Sequence, residues 1–119
     1  MERFDYKLEK VSGFPVIKPQ GYLNEQAGIK LKEIIDDLFK QGDLFMVMDL
    51  CDCDLINSLG VAAILDASLR VNEDFQGGFV LSSLKPLMVE ILDLACVTDT
   101  TEVFENTQTA IARLTERKS

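Results

Sequence analysis

Met46-Val47-Met48-Asp49-Leu50-Cys51-Asp52-Cys53-Asp54-Leu55-Ile56-Asn57-Ser58-Leu59-Gly60 is the stretch that decides the fold. It opens within Leu44–Leu50, an apolar run broken only by Asp49, which is how a strand buried on both faces reads. An acidic loop follows, Asp52 to Asp54. Asn57 or Ser58 then stands ready to cap a helix, because a short polar side chain there accepts a hydrogen bond from an orphan N–H of the first turn. Val61, Ile64, Leu65 and Leu69 recur three to four residues apart beyond it. A buried strand feeding a helix is the repeating unit of a parallel sheet with helices packed on it.

The same alternation extends both ways from this stretch. Upstream, Phe4, Tyr6 and Leu8 alternate with polar residues, Ser12-Gly13 is a turn, and a second strand runs from Phe14 through Val16 and Ile17 to Gly21. These form a hairpin, although Pro15 and Pro19 disfavour pairing along the whole second strand. Asn24 caps a helix with Ala27, Leu31, Ile34, Ile35 and Leu38 inward, stopping near Gly42. Downstream, the Gly77-Gly78 turn precedes a buried strand, Phe79-Val80-Leu81. Leu84, Met88, Ile91 and Ala95 line a helix with Pro86 in its first turn. Thr101–Phe104 reads as a short strand, and Ala110, Ile111 and Leu114 as a closing helix with a frayed tail at 116–119. The order β-β-α-β-α-β-α-β-α predicts an α/β fold: a mostly parallel central sheet of four to five strands, an N-terminal β-hairpin, and about four helices. Residues 1–119 are expected to form one domain.

Composition narrows the function. The net charge is −8, from 20 acidic and 12 basic residues. That opposes nucleic-acid binding, which needs clustered Lys and Arg, and it opposes anionic lipid surfaces. The chain has no His, so Ser-His and Cys-His nucleophile pairs are ruled out and a mixed zinc site is disfavoured. No metal or other cofactor is expected. Cys51, Cys53 and Cys96 are odd in number, as suits a reducing compartment. Cys51 and Cys53 are read as the end of a strand with one side toward the core, and Cys96 as a small buried side chain. The charged Met1–Lys10 segment has no signal core, and no apolar run is long enough to span a membrane. A cytoplasmic location is expected.

Three segments, in register with these elements, resemble the STAS domain family, in particular its anti-sigma factor antagonists. The strand end Asp49-Leu50 followed by Ile56-Asn57-Ser58-Leu59-Gly60 is similar to the family's strand ending in Asp-Leu and helix opening in Asp-Ser-Ser/Thr-Gly. Gly21-Tyr22-Leu23-Asn24 is similar to its Gly-x-Leu-Asp. Ile91 to Val97, Val103-Phe104 and Ala110-Ile111 are similar to its C-terminal part. The resemblance implies a non-enzymatic binding module. Its partner would be an anti-sigma factor that is also a serine kinase, its phospho-acceptor Ser58, and a serine phosphatase would reset it. Asn24, Asp54, Asn57, Ser58, Leu59 and Gly60 become the expected partner surface. A phosphate on Ser58 would bring about −1.5 to −2 charges to a helix N-terminus that tolerates an anion, beside acidic Asp52 and Asp54.

Three positions depart from the pattern. Asn24 and Asn57 stand where Asp is usual, and Leu59 where Ser or Thr is usual. These departures keep two other readings open. One is a scaffold subunit of a larger sensory or transport assembly in which Ser58 is only a helix cap. The other is a small-ligand or nucleotide-binding domain, disfavoured because no Gly-rich phosphate loop is present. Gly60 is read as allowing close packing of helix on sheet, and Asp52 and Asp54 as a solvated loop.

Overall fold

The structure is a computed structural model that describes residues 5–118. Phe4 and Ser119, both named in the sequence reading, lie outside that range. Strand β1 (Asp5–Val11) and strand β2 (Phe14–Leu23) form an antiparallel hairpin. Helix α1 (Glu25–Lys40) leads to β3 (Phe45–Asp49), β4 (Cys53–Ile56) and α2 (Ser58–Leu69). Then come β5 (Gly78–Ser82), α3 (Pro86–Leu94), β6 (Val103–Phe104) and α4 (Thr107–Lys118). The strand order is β1-β2-β3-β5-β6, with β4 attached to β2 off this path. All pairings after the hairpin are parallel. The predicted architecture is the one found, with one strand more.

The two sheet faces are covered unequally. Leu31, Ile35 and Leu38 of α1, Ile64 and Ala67 of α2, and Met88 and Leu92 of α3 pack with Ile17, Met46, Met48, Phe79 and Leu81 in one core. Ala110, Ile111 and Leu114 of α4 pack alone against Phe14, Val16, Val47 and Val80. Residues alternating along each strand feed opposite cores, and so β3 and β5 are apolar throughout.

The hairpin explains the prolines. Ser12 and Gly13 both have positive φ (53° and 86°), as in a two-residue type I′ turn. Such a turn makes Val11 and Phe14 a hydrogen-bonded pair, so alternate residues of β2 starting at Phe14 bond to β1. Pro15 and Pro19 fall between them, facing away from β1. On that side β2 pairs with β3 only at Val16 and Ile17, and with β4 at Gly21–Leu23. The missing N–H groups thus lie where no ladder bond is made.

Several expectations are corrected. The segment read as an acidic loop contains β4, a four-residue strand whose polar Asp54 and cysteine start hid its periodicity. The inward stripe of α2 is Gly60, Ile64, Ala67 and Ser68, continued by Val71, whereas Leu69 is 42% exposed. A π-helical turn, Arg70–Asp74, extends that helix. In α3 the buried residues are Met88 and Leu92; Ile91 is only half-buried and Ala95 is already the exposed C-cap. Gly78 belongs to β5 and is buried rather than in a turn. The tail expected to fray is helical to Lys118, with Arg117 bonded to the Gly77 carbonyl at 3.2 Å and paired with Glu102.

Candidate functional site

Pairing of β2 with β4 sets Leu23 beside Ile56, so the next residues, Asn24 and Asn57, start two helices side by side. Both are extended and both cap. Asn24 Oδ1 accepts from the Ala27 N–H (3.1 Å) and Asn57 Oδ1 from the Gly60 N–H (2.9 Å). The Asn57 N–H donates to the Leu23 carbonyl at 3.2 Å, which ties the start of α2 to the end of β2. Gly60 is buried against that same carbonyl: a Cβ there would lie 2.1 Å from the Leu23 oxygen.

Capping by Asn57 leaves Ser58 as the first residue of α2, exposed and outside the capping bond. Of the two cap candidates in the sequence, the structure selects Asn57. Leu59 is 50% exposed beside Ser58. Asp54 on β4 is ion-paired with Lys85 at the N-cap of α3, and this contact raises the Lys85 pKa. Its charge is therefore partly answered, unlike the free loop carboxylate the sequence suggested. All six expected surface residues are brought to the edge where α1, α2 and β4 meet. Gly60 and the caps form its base; Ser58, Leu59 and Asp54 are exposed on it.

Sequence reasoning missed the apolar part of this edge. Leu55, Ile29 and Leu87 are 53%, 58% and 58% exposed, on β4, α1 and α3. Glu25, Ile29, Lys32, Leu59, Ala62 and Asp66 line a shallow groove between α1 and α2. Ile29 was legible, since it falls opposite the Ala27-Leu31-Ile35-Leu38 stripe. Leu55 was not, because β4 itself was not seen.

A buried carboxylate lies at the end of β3, where it meets α4. Asp49 Oδ1 accepts from the Cys51 N–H (3.0 Å) and Oδ2 from the Thr107 hydroxyl (2.8 Å), which is also 2.9 Å from the Ser82 hydroxyl. Burial pushes this carboxyl pKa up. The backbone and thiol of Cys51, the Thr107 hydroxyl and the Lys18 charge outweigh burial and hold it below the ordinary value. Burial, then the hydrogen bond and charge of Asp49, push the Cys51 thiol to about 11. Cys53 is also raised, chiefly by burial, so neither is a ready thiolate. Cys96 is exposed rather than buried, at a left-handed φ of 61° just after α3. Among the described residues no cluster of metal-ligating side chains occurs.

The Asp49 geometry predicts a pH effect. A carboxyl with a lowered folded-state pKa adds stability above its unfolded value, about 3.9, and loses it as pH falls through the folded value. Thr107→Val removes one of its donors and should cost about 1–3 kcal/mol at pH 7. Urea unfolding at pH 7 and at low pH checks this. The gap between parent and variant should narrow in acid, leaving the part due to the stranded Ser82 hydroxyl; a pH-independent gap would remove Asp49 from the explanation.

By sequence, no family model matches the chain, and no curated protein does. By structure, the similarity is extensive. An anti-sigma factor antagonist from Mycobacterium paratuberculosis superposes with a TM-score of 0.82 at 15% identity, covering 94% of each chain. The phosphorylated form of the Bacillus cell fate determinant SpoIIAA gives 0.69 at 22% identity, covering 92% of this chain and 98% of that one. A sulfate transporter family protein from Wolinella succinogenes gives 0.76 at 14% identity, covering 87% and 85%.

Proposed function

Starting from a chain with the STAS fold of the anti-sigma factor antagonists, we propose that residues 1–119 act as one phosphorylation-controlled protein-binding module. Its partner is an anti-sigma factor with serine kinase activity, its acceptor is Ser58, and a serine phosphatase reverses the modification. The observation that carries this reading is the exposure of Ser58 at the first position of α2, with the capping duty held by Asn57. A hydroxyl free of structural work is available for transfer of a phosphoryl group. The N–H groups of the first helical turn and the helix dipole favour an anion there.

The edge around Ser58 fits protein docking. Leu55, Leu59 and Ile29 supply exposed apolar anchors, and Asp54 with Lys85 supplies a charged rim. A phosphate added at that edge would bring an unanswered charge into the contact. The module acts by binding and catalyses nothing itself. No helix among the described residues is long and apolar enough to cross a membrane; the site of action proposed is the cytoplasm.

Incubation with the cognate anti-sigma kinase and ATP should add a single phosphate by intact mass, and Ser58→Ala should abolish it. Phosphate on another residue, or none on the parent chain, would refute the assignment of Ser58. The scaffold reading also has an observation in its favour: the same fold occurs in a sulfate transporter family protein. That reading predicts a complex indifferent to the charge at position 58.

A further inference from the structure

The outer edge of β1 lies on the other side of the hairpin from β4. Among the described residues β1 pairs only with β2. Because the type I′ turn makes Val11 bond inward, Lys7 and Glu9 also bond inward, while Leu8 and Lys10 turn their N–H and C=O groups outward. An edge of this kind invites another strand unless its side chains forbid it. Leu8 sits at the centre of this one and is 53% exposed, with Lys7 and Glu9 exposed on either side of it.

Charged residues on an edge often serve to block pairing, so their order decides between protection and recognition. In an antiparallel pair of identical strands about a two-fold axis, outward-bonding residues must face outward-bonding residues. Only registers centred on a residue, not between two, keep bonds matched along β1. Centring on Lys7 sets Lys7 against itself and Asp5 against Glu9. Centring on Glu9 sets Glu9 against itself. Centring on Leu8 sets Leu8 against Leu8 and Lys7 against Glu9 twice, and spans all of Asp5–Val11 with no like charges opposed. Centring on Lys10 sets Lys10 against itself, and centring on Tyr6 sets Asp5 against Lys7 but pairs only residues 5–7 of the described strand, so charge order and paired length together favour Leu8.

We propose that the β1 edge is a self-association surface whose occupant is a second copy of this chain, joined antiparallel about Leu8. A strand-edge contact of this length is small, so the dimer is weak and exchanges readily. The two sheets become continuous, and each copy keeps its α1–α2–β4 edge free, so the dimer presents two docking edges to a partner.

Sedimentation equilibrium of the full chain, from about 10 µM to about 1 mM, should show a monomer–dimer equilibrium. Lys7→Glu and Glu9→Lys, each an exposed substitution, should each weaken it about tenfold or more, since both cross-strand pairs become repulsive. Mixing the two variants should restore association as a heterodimer, because each acidic position then meets a basic one. Amide exchange at Leu8 should slow with concentration in the parent and in the mixture. A parent that stays monomeric over the range, variants that dimerise as it does, or a mixture that stays monomeric would each overturn the proposal.

Discussion

Ser58→Asp should weaken binding to the anti-sigma factor by about thirtyfold to several thousandfold, the equivalent of about 2–5 kcal/mol for a disrupted polar contact in an interface. The same substitution should leave folding stability within about 0.5 kcal/mol of the parent, or raise it slightly. The two expectations separate because of what Ser58 does and does not touch. Its side chain is exposed and the cap is Asn57, so no internal bond is lost, and a carboxylate in the first turn suits the helix dipole. The cost falls where a docked protein desolvates the position. Isothermal titration with the cognate kinase and urea denaturation of the free chain measure the two quantities. Equal affinity of Ser58→Asp and parent would eliminate the switch and favour the scaffold reading.

Gly60→Ala should act in the opposite way, destroying stability and only thereby function. The added Cβ would lie 2.1 Å from the Leu23 oxygen, and 2.9 Å from both the Leu23 carbonyl carbon and Ile56 Cγ1. The carbonyl cannot yield cheaply. It accepts the Asn57 N–H, and Leu23 is paired with Ile56 in the β2–β4 ladder. Relief requires the start of α2 to lift, which breaks the Asn57 cap. Alanine recovers about 1 kcal/mol of helix propensity over glycine, against an overpacking cost of about 3 kcal/mol. A net loss of about 2 kcal/mol should appear as a lower urea midpoint with unchanged m. An unchanged midpoint would mean that helix and strand are not in the contact described.

Gly60 also shows what could be read from the amino-acid order. Its place as a close-packing glycine followed from the strand–loop–helix stretch, and the hairpin, buried strands and caps followed from periodicity and turn chemistry. The expectation of partner switching at Ser58 rests on resemblance alone, because an exposed serine at a helix start has no local signature separating acceptor from cap. β4 escaped notice because four residues beginning with Cys-Asp carry too little alternation. The Asp54–Lys85 pair and the Asp49–Thr107–Ser82 network join residues far apart in the chain. Such contacts are settled by packing, and no local pattern encodes them. Leu69 and Ala95 were assigned inward because spacing alone does not say where a helix turns π-helical or ends.

The one-sided attachment of β4 has a consequence for motion. The central strands β3 and β5 each bond to two neighbours, whereas β4 is held by a single ladder to the end of β2. A segment with one row of bonds detaches at a smaller free energy than one with two, so β4 is expected to open before the central strands. Under the proposed switch, such opening would carry Ser58, at the start of α2, outward from the domain, and it would uncover Cys53 on β4 as it did so.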